Sequence, residues 1–258
     1  MWESISSYYI LFLLVLTRMS GVFLFNPFFG RKNVPAIIKI GLALLISVLI
    51  TPTLGLKNPE IGSQIVFIIM LIKELFIGYV MGFVVNLLVA WVLMAGEMSD
   101  IQLGLGMSKL YDNQTNVSMP VTGAVFNIML TLVFFAQNGH LNLIKIASLS
   151  CMAFPLGYEL VNPEIGSYLT LLFGNILLMT VKLAAPIIAV ELLTEIGMGI
   201  FMRNVPQVNV FVASIQVKLM VGLIIFIFVL PVYYEYLGKS IDFMFEKLEQ
   251  SIILMLKS

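Results

Sequence analysis

From Ile61 to Ala95 the only charged residues are the neighbours Lys73 and Glu74. A soluble fold must present part of every helix to water, and this run offers almost nothing that water would solvate. As a helix rising about 1.5 Å per residue it would reach roughly 50 Å, while bilayer hydrocarbon is about 30 Å thick. The run therefore calls for a bilayer and also outgrows one. It is read either as two helical pieces or as one helix projecting beyond the lipid core.

The remainder of the chain repeats the pattern. Of 258 residues 60% are apolar and 11% charged, against about 25% charged in soluble domains. Further apolar runs cover Tyr8–Phe25, Ile40–Ile50, Val121–Ala136, Ser167–Val190 and Val210–Leu230. The expected fold is an all-α membrane protein: about six long apolar helices in helical hairpins, some broken or over-long. A C-terminal amphipathic helix is expected over 233–258, where Ile241, Phe245, Leu248 and Ile252 recur at helical spacing. The chain is taken as one integral membrane domain. Its first helical part extends to about residue 137, and its second covers about 138–232, with an irregular segment from Gln137 to Gly166. The start lacks the basic region of a signal peptide, so the first run is read as retained.

Basic and acidic residues balance at fourteen each, with no polybasic signature of nucleic-acid binding. One cysteine, Cys151, and one histidine, His140, exclude an intramolecular disulfide framework and argue against a zinc or haem site. No cofactor is expected. The hexapeptide Asn58-Pro59-Glu60-Ile61-Gly62-Ser63 recurs at Asn162–Ser167 ahead of a second apolar run. Its Asn, Pro and Glu are residues that start helices. A duplicated hairpin is the alternative source.

Charges within or beside the apolar runs are the first candidate functional residues: Arg18, Lys73, Glu74, Lys182, Glu191 and Lys218. A central charge costs about 3 kcal/mol to insert, so each should face a bundle interior, a watery path or a partner. Lys73 and Glu74 point about 100° apart on a helix and each needs another partner. Glu191 and Glu195 share a helix face and repel unless a cation or proton intervenes; Arg203 and Lys218 are the cations nearest in sequence. With Glu97, Asp100, Gln207 and Asn209 these residues form a set of intramembrane or inter-subunit polar contacts. Ion pairs locking helices and subunits together are favoured over a proton relay, because the charges are scattered rather than gathered on two broken helices.

The second candidate is the segment from Glu97 to Pro120. Gly104 and Gly106 allow backbone conformations closed to other residues, and Asp112-Asn113 suits a turn. Met107, Leu110, Tyr111 and Met119 add an apolar content that a plain solvent loop would not need. A re-entrant or pore-lining segment would need it, while a surface loop with a partly buried turn is the other reading. Gly104-Leu105-Gly106 is not a phosphate loop, since no Lys-Ser/Thr follows at the required spacing.

Four passages resemble the FliR/SctT family, the R subunit of the flagellar type III protein export gate. They are Thr17-Arg18-Met19 through Phe25-Asn26-Pro27 to Val34-Pro35; Glu74-Leu75-Phe76-Ile77-Gly78-Tyr79; Gly104-Leu105-Gly106-Met107 to Tyr111-Asp112 and Pro120; and Glu195-Ile196-Gly197-Met198 leading to Pro206-Gln207-Val208-Asn209-Val210-Phe211. The resemblance covers essentially the whole chain. It implies a non-enzymatic subunit with P-like plus Q-like organisation in the bacterial inner membrane, at the flagellar basal body. It further implies assembly with P-type and Q-type subunits, contact with a separate FlhB-type subunit, and passage of unfolded export substrates. In that frame the loop 104–120, with Gly104, Gly106, Met107, Leu110, Tyr111, Asp112 and Pro120, is the resting pore plug. A small ion-coupled secondary transporter is the alternative.

Overall fold

A computed structural model describes residues 2–30, 34–54, 63–105, 120–153, 156–157, 162–204 and 210–256. Their regular structure is entirely helical: α1 (Trp2–Leu24), α2 (Ala36–Ile50) with a short 3-10 turn at Thr51–Leu54, α3 (Gln64–Gln102), α4 (Val121–Ala136), α5 (Gly139–Ala153), α6 (Glu164–Asn204) and α7 (Val210–Leu256). The chain is an all-α membrane protein. Among the described residues four helical stretches are each long and apolar enough to cross a bilayer: Ala36–Leu54, Gln64–Gln102, Glu164–Asn204 and Ala213–Met255.

Several boundaries differ from the sequence reading, for one physical reason. Polar residues suggest helix ends, yet a helix tolerates them wherever its hydrogen-bond ladder continues. The long run is one helix, α3, of 39 residues, so the projecting alternative holds. It continues through Glu97 and Asp100, shortening the central loop. The segment after Gln137 is not irregular throughout, because α5 occupies Gly139–Ala153. The amphipathic C-terminal stretch is not a separate helix but the continuation of α7, 47 residues long with Pro231 inside it. Proline removes one helical hydrogen bond without having to end a helix whose flanks are strongly helical.

The helices gather into two compact units. The first comprises Met1–Leu88, Asn138–Leu172 and Ile241–Ser258. Its spine is α1, where Leu11, Leu14, Val15, Met19, Val22 and Phe23 are buried at helical spacing. Gly21 of α1 meets Gly78 of α3 backbone to backbone: a Cβ on Gly21 would lie 2.8 Å from the Leu75 carbonyl oxygen, and one on Gly78 would strike that of Arg18. On α2, Ala43, Ile46, Ser47 and Ile50 are buried while Ile37, Ile38, Leu45 and Leu49 are exposed. After α1 the chain turns at Asn26, whose Oδ1 accepts hydrogen bonds from the backbone N–H groups of Phe28 (2.8 Å) and Phe29 (3.3 Å).

The second unit comprises Val89–Gln137 and Phe173–Ser240. Its core joins Trp91, Val92 and Ala95 of α3 to Phe126, Leu130 and Phe134 of α4, Ile176, Leu183 and Ile187 of α6, and Tyr233 and Leu237 of α7. Phe126 packs edge-on against Tyr233 at 5.0 Å between ring centroids, and Trp91 against Tyr236 at 5.8 Å.

Candidate functional site: the feet of the central loop

Within the second unit α3 ends at Gln102 and α4 begins at Val121. The two helix ends are tied together. Position 120, which precedes α4, is a proline and offers no capping oxygen. The cap comes instead from Asp100 in the last turn of α3, whose Oδ1 accepts the Thr122 N–H at 3.1 Å. A carboxylate there satisfies an otherwise orphaned N–H and meets the positive end of the α4 dipole. One turn earlier, Gly96 lies against Gly123 so closely that a Cβ on Gly96 would overlap the Gly123 backbone. The central loop is therefore an excursion from a clamped base.

Its first foot is described as far as Leu105. Leu103 is buried, and its N–H donates to the Ser99 carbonyl oxygen at 3.0 Å. Gly104 has φ +77°, a left-handed conformation that suits glycine, and it reverses the chain as the helix ends. Pro120 forms the second foot and is buried. Gly106, Met107, Leu110, Tyr111 and Asp112 lie outside the described residues.

The foot rests beside an acidic residue. Glu191 follows the apolar run Ser167–Val190, which at about 1.5 Å per residue spans roughly 36 Å and matches the bilayer core by itself. Glu191 has no exposed surface (0%), and neither carboxylate oxygen has a hydrogen-bond partner among the described residues. It has room because the facing residue of α7 is Gly222. A Cβ there would lie 2.7 Å from Glu191 Oε1 and would overlap the Leu103 side chain. One turn along both antiparallel helices, Lys218 pairs with Glu195 at 3.3 Å, the glutamate side chain 60% exposed. Of the two cations nearest in sequence, Lys218 reaches the acidic face, while Arg203 is exposed.

The first unit holds a second polar centre. Arg18 Nε donates to Glu74 Oε2 at 2.6 Å with both side chains fully enclosed. Arg18 Nη1 also donates to the Ser150 carbonyl oxygen at 2.7 Å, and Glu74 Oε1 accepts the Gly157 N–H at 2.9 Å. Four chain segments thus converge on one ion pair whose hydrogen bonds compensate for its burial. Lys73 points elsewhere and is half-buried; Lys182 and Glu97 are exposed. Gln207 and Asn209 lie outside the described residues. Among the described residues no three His, Cys, Asp or Glu side chains cluster as metal ligands.

The sequence reading missed Gly96, Leu103, Thr122, Gly123 and Gly222. Glycines inside apolar helices were their available signal, because such glycines mark close helix approach, but the partner of each is set only by the fold.

Fold and site together define a membrane protein of over-long helices in which the end of α3 is clamped to the start of α4. Residues 9–244 match the model of the bacterial export proteins, family 1. The chain belongs to that family, the FliR/SctT family. It is 29% identical to flagellar biosynthetic protein FliR of Bacillus subtilis (strain 168) over 84% of each chain. It is 28% identical to FliR of Escherichia coli (strain K12), over 84% of this chain and 82% of that one. To surface presentation of antigens protein SpaR of Shigella flexneri the identity is 30% over 91% of each.

Proposed function

We infer that this chain is a non-enzymatic subunit of the flagellar type III export gate. In the bacterial inner membrane it assembles with P-type and Q-type subunits and meets an FlhB-type subunit. Unfolded flagellar proteins pass through the assembled core, and the loop between Leu103 and Pro120 serves as its plug. The observation that carries this reading is the clamped base of that loop in a chain of the export family. A plug must change position while the helices that carry it stay fixed, and a segment whose flanking helix ends are pinned to each other by Asp100–Thr122 and Gly96–Gly123 meets that requirement. The relatives' names, flagellar biosynthesis and surface presentation of antigens, favour protein traffic over solute transport.

Deleting residues 106–116 tests the reading. The expected result is a complex that still co-purifies with its P-type and Q-type partners yet leaves the membrane permeable to small solutes, read as dye or ion leakage. An assembled, tight membrane would contradict the plug role.

A further inference from the structure

The Leu103 foot and Glu191 meet over the same gap at Gly222, and their juxtaposition has a chemical consequence. An ionised carboxylate enclosed without a donor loses its hydration and receives nothing in exchange, whereas a protonated carboxyl group escapes most of that cost. Each neighbouring element presents little that would hold the anion. On α6, Glu195 repels it. On α7, Lys218 attracts it but is paired with Glu195, and Gly222 has no side chain. At the end of α3 stands the apolar Leu103, while Asp100 is turned to the Thr122 N–H.

We propose that Glu191 is a proton-binding site covered by Leu103, so that seating of the loop's first foot and protonation of Glu191 are one coupled equilibrium. With Leu103 seated over Gly222, the carboxyl group keeps its proton. When Leu103 lifts, water reaches the group, the proton passes to that water, and the resulting anion lies beside Lys218, free to compete with Glu195 for it. The sign follows from linkage: the lifted state binds one proton fewer, so rising pH favours it. Proton-dependent seating is complete below the ordinary glutamate value of about 4.3. It is lost as the pH rises through the value at which the seated carboxyl group ionises. The coupling concerns the foot alone and holds whether or not the loop beyond it closes a pore.

Hydrogen exchange at the Leu103 and Gly104 amides of the full chain, purified in mild detergent with its co-purifying subunits, tests the coupling. Rates are corrected for intrinsic pH dependence by comparison with Glu191→Gln, which is neutral at every pH. Wild-type protection should fall with rising pH by up to about tenfold per unit, and Glu191→Gln should hold it constant. Identical corrected profiles for the two proteins would overturn the proposal. Infrared difference spectra of wild type against Glu191→Gln provide a second reading. About one pH unit above the ordinary glutamate value of about 4.3, a protonated carboxyl band assigned to Glu191 should be present in wild type and absent in Leu103→Ala, where the cover is gone. A band unchanged in Leu103→Ala, or missing from wild type, at that pH would also overturn it.

Discussion

Arg18 carries a full charge with no exposed surface, and Glu74 is its counter-ion. Neutralising one partner leaves the other buried and uncompensated. Arg18→Ala or Glu74→Ala alone should therefore destabilise the first unit by about 3–5 kcal/mol, while replacing both by apolar residues of similar volume should cost far less. Thermal unfolding of the detergent-solubilised protein would show this as a double-mutant cycle with strong coupling; additive losses would mean that the pair acts independently. The sequence showed that Glu74 could not satisfy Lys73 and needed a distant partner, because adjacent helical residues diverge. It could not say which one. Arg18 lies 56 positions away, and only the packing of α1 on α3 through Gly21 and Gly78 decides the match. Lys218 was legible as one of two cations near Glu191 and Glu195; that it answers Glu195 and not Glu191 depends on where Gly222 falls in the α6–α7 register.

At the scale of elements, the apolar runs were readable and their ends were not. α3 continues to Gln102 with both polar residues accommodated: the Ser99 hydroxyl donates to the Ala95 carbonyl oxygen at 2.8 Å, within the helix, and the adjacent Asp100 caps α4. Both are polar and buried, so composition alone marked them as loop. The bounds of the central loop, Gly104 and Pro120, come from the family resemblance, whereas the clamp below them has no sequence signal that names Gly96 and Gly123 as partners. That clamp depends on close approach, and Gly96→Val should be poorly tolerated. The added methyl groups must enter the Gly123 backbone, pushing α4 off α3 at a cost of about 3 kcal/mol. Loss of protection against proteolysis within 103–120, with α1 and α2 unaffected, would be the corresponding readout. A Gly96→Val protein of wild-type stability would show that α3 and α4 separate at no cost.

For the whole molecule, length and surface decide what the chain requires around it. α7 is 47 residues long, roughly 70 Å at about 1.5 Å per residue and more than twice the thickness of bilayer hydrocarbon. Only 6% of its most apolar window is buried inside the chain, and Leu223, Ile224, Ile227 and Phe228 are exposed. Lipid can cover part of such a helix, and the excess calls for protein. Ile227→Asp, which touches neither core, should leave both units folded but lower the yield of co-purified partner subunits at least tenfold in a pull-down from membranes. Full recovery of the complex would remove α7 from the interface.

Both units are stitched from segments far apart along the chain, and the first includes residues before Leu88 together with residues after Ile241. A ribosome adds about 5–20 residues per second, so roughly 10–30 s separate the emergence of those two edges. During that interval α1 has only part of its final surroundings. Arg18 and Glu74 both belong to the early portion, so the nascent chain can neutralise its costliest charge as it enters the membrane, well before Ser150 and Gly157 arrive to complete the set. The ion pair can thus form in an unfinished polypeptide, before the segments that complete its hydrogen bonds are made.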